Sequence, residues 1–102
     1  MKTLFFLTKK ESDSLALVEK LKERGENVSV VLIQDAVYLA LENNEHSGII
    51  RDLLGKGVDF HVLAKDVELR GIQEHLIPDL DLIDYDQLTD LLFSENQRVI
   101  NL

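Results

Sequence analysis

A chain of 102 residues with 45% hydrophobic content has the size of one domain, 1–102, and can bury one continuous core without disulfides or a metal. It contains no cysteine, which excludes disulfides, thiolate metal sites and a thiol nucleophile, so the chain cannot itself carry a persulfide. The net charge of −8 argues against a nucleic-acid surface; residues 1–34 carry six basic and five acidic side chains, residues 35–102 five basic and fourteen acidic, and a basic partner fits better than an acidic one.

"KTLFFL" near the start is a short, nearly continuous apolar run, as in a strand buried on both faces. "SDSLALVEKLKERG" then repeats Leu15, Val18 and Leu21 at helical spacing, with Ser12 or Asp13 as a cap and Gly25 as the stop. "NVSVVLIQ" is a second buried strand, and Asp35 stands where a helix N-cap belongs before "AVYLALENN". Residues 45–57 hold a short helical turn, "VDFHVLA" is a third strand, and "KDVELRG" is a helical turn stopped by Gly71. Leu80, Leu82 and Ile83 make a short strand before "DYDQLTDLLFSEN", where Leu88, Leu91 and Leu92 recur at helical spacing; "RVINL" supplies a fifth strand. Asp84 followed three residues later by Gln87 has the form of a capping box.

Strands that alternate with helices require crossover connections, so the expected fold is α/β: a mainly parallel five-stranded sheet with helices on both faces. Ligands in such sheets gather at the carboxyl ends of the strands, here Thr8 to Lys10, Gln34 to Asp35, Ala64 to Asp66 and Asp84 to Tyr85. No apolar run approaches the roughly 18 residues that span a bilayer, and "MKTLFFLTKKESD" has too short an apolar core for a signal peptide, which makes the cytoplasm the expected compartment.

Several chemistries are poorly supported by the spacing. "TKKESDS" after the first strand lacks the glycines of a phosphate loop, and Ser12 and Ser14 have no histidine placed to activate them. A calcium loop counted from Asp79 puts Asp84 where glycine belongs and Asp90 where glutamate belongs. His61 lies within a strand, His46 and His75 read as solvated loop residues, and no histidine pair has zinc spacing. Asp79 and Asp81 read as solvated flanks of the fourth strand. More informative is "IQDAVYLAL", which places Gln34, Asp35 and Tyr38 at the end of a central strand, and "KDVELRG", which sets Asp66 and Arg70 at ion-pair spacing.

"VVLIQDAVYLAL", "VDFHVLAKDVELRGI" and "LDLIDYDQLTDLL" together resemble, in order and spacing, the DsrH/TusB branch of the DsrE-like sulfur-relay proteins. In that branch a strand ending in "(Q/E)(D/N)(G/A)V" is followed by "DxxxRG" and then by an "(I/V)xYxxFVxL"-like segment. Gln34, Asp35, Val37, Asp66, Arg70, Gly71, Asp84 and Tyr85 match the pattern, and the likeness runs from Val28 to Phe93. The resemblance implies an α/β/α sandwich around five strands, homo- or hetero-oligomers with cysteine-bearing DsrE/TusD-like and DsrF/TusC-like proteins, and sulfur transfer toward tRNA wobble 2-thiouridine or within sulfur oxidation. Some members carry a cysteine in the first helix, where this chain has an aliphatic turn near Val18.

Persulfide relay needs a thiolate, so the expected role is a non-catalytic interaction subunit without cofactor or metal, which leaves the chemistry to its partners. Its candidate cleft or interface residues are Gln34, Asp35, Tyr38, Asp66, Arg70, Gly71, Asp84 and Tyr85. Two rivals use the same strand ends: a small-molecule or anion binding module lined by Gln34, Asp35, Asp66 and Arg70, and a magnesium-dependent hydrolase built on Asp35, Asp66 and Asp84.

Overall fold

The computed structural model describes residues 2–10, 13–95 and 97–102. Its elements are β1 (Lys2–Leu7), α1 (Asp13–Glu23), β2 (Asn27–Leu32), a 3₁₀ helix (Gln34–Ala40), α2 (Ser47–Gly55), β3 (Asp59–Leu63), α3 (Ala64–Leu69), a 3₁₀ turn (Gln73–His75), β4 (Asp81–Ile83), α4 (Tyr85–Leu92) and β5 (Gln97–Asn101). The five strands form one sheet in the order β4-β3-β2-β1-β5, and all four neighbouring pairs are parallel. This is the α/β sheet with helices that the alternating pattern predicts. Asp13 is the first residue of α1, and Ser12, the other cap expected there, lies outside the described residues.

Strand order decides which face each helix covers. β1, β2, β3 and β4 are laid down successively in one direction across the sheet, so right-handed crossovers put all their connections on the same face. The step from β4 to β5 runs back across the sheet and sends α4 to the opposite face. Burial follows this division. Phe5, Leu7, Val28, Val30, Leu32, Phe60 and Val62 pack in one cluster with Leu15 and Val18 of α1, Ile50 and Leu53 of α2, and Val67 of α3. Leu4, Val31, Leu63 and Ile83 alternate onto the other face and are buried outside that cluster. There α4 supplies only half-buried Leu88, Leu91 and Leu92. The three layers are therefore unequal.

The β1 and β2 cores explain the nearly continuous apolar runs in the sequence: a strand flanked on both sides and covered above and below has no solvated face to mark with polar residues. At the end of α3, Gly71 adopts φ +63°, the left-handed conformation that stops a helix at little steric cost when no Cβ is present.

Candidate functional site

The backbone is strained at the carboxyl end of β2, one of three places among the described residues where a non-glycine residue has positive φ. Gln34 has φ +52°, an unfavourable left-handed conformation for a residue with a Cβ, and its N–H donates to Asp66 Oδ2 at 2.7 Å. Asp66 comes from the first turn of α3, which follows β3 without a loop, and the residue is only 8% exposed. A carboxylate removed from water needs donors. Besides Gln34 it has Arg70, one turn later on α3, whose Nη1 lies 3.6 Å from Asp66 Oδ1 and also donates to the Asp66 carbonyl at 3.2 Å. The other arm of the guanidinium, Nη2, donates to Asp35 Oδ1 at 3.0 Å. Arg70 thus ties the end of β2 to the helix after β3.

Tyr38, one turn along the 3₁₀ helix, completes this rim. Its ring has the Arg70 guanidinium carbon 5.8 Å and the Lys10 ammonium 5.6 Å from its centroid, both within cation–π range. Open clefts lie on either side of it: one of about 390 Å³ lined by Lys9, Lys10, Asp35 and Tyr38, and one of about 300 Å³ lined by Lys10, Tyr38, Leu39, Leu41, Asn44, Glu45 and His46. A larger hollow of about 550 Å³, bounded by Arg51, Val58, Asp59 and Pro78 among others, lies at the opposite, amino-terminal end of β3.

Of the residues singled out in the sequence, Gln34, Asp35, Tyr38, Asp66 and Arg70 converge, and Gly71 follows Arg70 directly as the exposed stop of α3. Asp35 is not a cap. The 3₁₀ helix starts one residue earlier, at Gln34, with Ile33 in the N-cap position and no side-chain cap, and Asp35 is drawn to the charged donor on α3. Asp84 and Tyr85 stand apart. Because β3 and β4 send their connections to opposite faces, the Asp66 rim and the start of α4 flank a topological switch point from its two sides. The Asp84 carboxylate accepts from the Gln87 N–H at 2.8 Å while the Gln87 side chain accepts from the Asp84 N–H at 2.9 Å, the expected capping box. Among the described residues no three acidic or histidine side chains converge as a metal site requires, so Asp35, Asp66 and Asp84 do not form the triad of the hydrolase reading.

One pair escaped the sequence reading. His61 on β3 and Asp81 on β4 are partners in the parallel register, with His61 Nδ1 2.7 Å from Asp81 Oδ2, so Asp81 is engaged rather than merely solvated. His61 Nε2 and, on the neighbouring strand, Ser29 Oγ are buried and find no hydrogen-bond partner among the described residues. No sequence signal marks this pair, since strand register sets it across a separation of 20 positions. His46 also departs from expectation: its side chain is mostly buried, with Nε2 3.3 Å from the Glu45 carboxylate.

Comparison with known proteins agrees with this architecture. The family described as DsrH like protein matches residues 9–98. A protein TusB from Pectobacterium parmentieri is 34% identical over 79 residues, covering 78% of this chain and 80% of that protein; a protein TusB from Buchnera aphidicola subsp. Baizongia pistaciae is 29% identical over 70 residues, covering 69% and 70%. Among solved structures, the ychN protein from E. coli superposes with a TM-score of 0.84 at 18% identity over the full length of both chains. A protein of unknown function from Methanobacterium thermoautotrophicum gives 0.80 at 17% identity, covering 99% and 98%; these two likenesses concern the fold. A fold of five parallel strands, a Gln-Asp turn tied to an Asp-Arg-Gly helix, and a match over nearly the whole length make this chain a member of the DsrH/TusB branch of the DsrE-like sulfur-relay proteins.

Proposed function

We propose that this chain is a non-catalytic subunit of a sulfur-relay complex, acting in tRNA wobble 2-thiouridine formation or in sulfur oxidation alongside cysteine-bearing DsrE/TusD-like and DsrF/TusC-like proteins. The observation that carries the reading is a family membership combined with an absence of cysteine. A thiolate is the group that attacks and holds sulfane sulfur, and this chain has none to offer. The rim supports the same conclusion. Asp66, Arg70 and Asp35 are largely occupied with one another and with the Gln34 backbone, so they shape a surface rather than present an activated group. The tRNA branch of this reading goes with work in the cytoplasm.

The test is co-expression with the DsrE-like and DsrF-like proteins of the same source, followed by native mass spectrometry and a radiolabelled-sulfur transfer assay. The expected result is a stoichiometric hetero-complex in which label resides on the partners and never on this chain. A protein that stays monomeric in their presence overturns the reading.

A second reading, an anion-binding module, rests on the cleft of about 390 Å³ where Lys9 and Lys10 face Tyr38 and Asp35. A thermal-shift screen with inorganic phosphate, sulfate and thiosulfate addresses it, because a ligand that binds only the folded state raises Tm. No shift at millimolar concentration removes it.

A further inference from the structure

The face of the sheet covered by α4 is closed on its inner side and unfinished on its outer side. At 100° per residue, Tyr85, Thr89, Phe93, Asp86 and Asp90 fill one continuous outer arc of about 140°, while Leu88, Leu91 and Leu92 point to the sheet. All five outer residues are exposed, Phe93 by 82% and Tyr85 by 59%. Two of the chain's six aromatic side chains thus stand in water at the two ends of a single short helix, Tyr85 as its first residue and Phe93 as its C-cap, whereas Phe5 and Phe60 are fully buried on the other side of the sheet. Scattered exposed apolar residues are ordinary, but paired aromatics in one arc are the anchors that protein interfaces favour.

The charge around them specifies the occupant. Between Arg70 and Arg98 there is no lysine or arginine, and Asp84, Asp86, Asp90 and Glu95 flank the two aromatics along the chain from the N-cap of α4 to just past its end. Phosphate backbones are repelled by such a surface. A two-fold contact with a second copy is disfavoured as well, because a symmetric interface sets the same patch against itself and would bring carboxylate against carboxylate.

We propose that the outer arc of α4 docks a different protein subunit, one presenting an apolar groove rimmed by lysine and arginine, with Phe93 and Tyr85 as anchors and Asp86 and Asp90 as the charged rim. The proposal rests on the subunit reading above and adds to it the surface and the partner's chemistry. The Asp66 rim, with Lys9, Lys10 and Arg70, lies across the switch point and is not part of this contact.

The test measures binding of this chain to the co-expressed DsrE-like and DsrF-like proteins by calorimetry at two salt concentrations. Three variants are compared: Phe93→Ser, the double variant Asp86→Lys with Asp90→Lys, and the control Leu69→Ser, whose side chain is exposed on α3. Because Phe93 is exposed, its replacement leaves Tm nearly unchanged, which a melting curve verifies. Phe93→Ser is expected to weaken binding at least tenfold, the double variant to weaken it and to remove its salt dependence, and Leu69→Ser to leave it unaltered. Wild-type binding that Phe93→Ser and the double variant leave intact overturns the surface while the subunit reading stands. Failure of the wild type to bind these proteins overturns both. Self-association of the isolated chain that Phe93→Ser abolishes makes the occupant a second copy and overturns the proposed partner.

Discussion

Two aspartates stand at the carboxyl ends of adjacent strands and do different work. Asp84, after β4, is exposed and caps α4 through a residue three positions away. Asp66, after β3, is nearly buried and holds the backbone of a residue 32 positions earlier while pairing with Arg70. The first organises one helix. The second fastens two strand ends together and fixes Gln34 in a conformation it would otherwise avoid. A local contact can be lost with one helix terminus frayed, whereas a long-range contact made from a buried group is lost at the expense of the surrounding fold.

The largest expected effect follows from that difference. Asp66→Ala strands the Gln34 N–H and leaves the half-buried Arg70 with one partner fewer, a loss of about 3 kcal/mol on the scale of broken buried hydrogen-bonded charge pairs, measurable by urea unfolding. Asp66→Asn keeps an acceptor for Gln34 and is expected to lose about half as much. Next comes Asp84→Ala, at about 1 kcal/mol for the loss of an N-cap, with the effect confined to α4 in hydrogen exchange. If Asp84→Ala cost as much as Asp66→Ala, the contrast between a local and a long-range carboxylate would be wrong.

Smaller changes sharpen the picture of the rim. Gln34→Gly relieves the left-handed backbone and is expected to be neutral or to stabilise by up to about 1 kcal/mol, provided that the N–H bond to Asp66 persists. A clear destabilisation would mean that the Gln34 side chain contributes more than its backbone. The smallest effect is at the opposite end of the sheet, where Asp52 lies 3.0 Å from Lys56 at i, i+4 spacing on the solvated side of α2. The hydrogen bond and charge of Asp52 raise the Lys56 pKa above its ordinary 10.5. A raised ammonium pKa means that any stabilisation is complete at neutral pH and is lost only as pH climbs through the lysine range. For so exposed a pair, Asp52→Asn should shift Tm by no more than about 1 °C at pH 7.

Much of the fold was legible because its signals are local. Apolar runs at β1 and β2, the helical stripe of α1, Gly71 as a stop and the Asp84–Gln87 box each depend on residues within one element or one turn of each other. The site was legible only in part. Asp66 and Arg70 at i, i+4 could be paired from spacing, the end of a central strand marked Gln34, Asp35 and Tyr38, and the family resemblance added weight to Gln34, Asp35, Asp66 and Arg70. That Asp35 would leave the cap position for Arg70, and that His61 would meet Asp81, could not be read, because both contacts are set by strand order and register.

By itself the sequence determined an alternation of strands and helices without a thiol, because strand and helix periodicity are short-range properties and an absent residue type is absent in any fold. Tertiary structure alone decided which carboxylates are buried, which arginine bridges which loops, and which aromatics are left in water. The order β4-β3-β2-β1-β5 and the right-handed crossovers it imposes put α1, α2, α3 and the 3₁₀ helix on one face and, among the described residues, α4 on the other, and that inequality is written in no single segment of the chain.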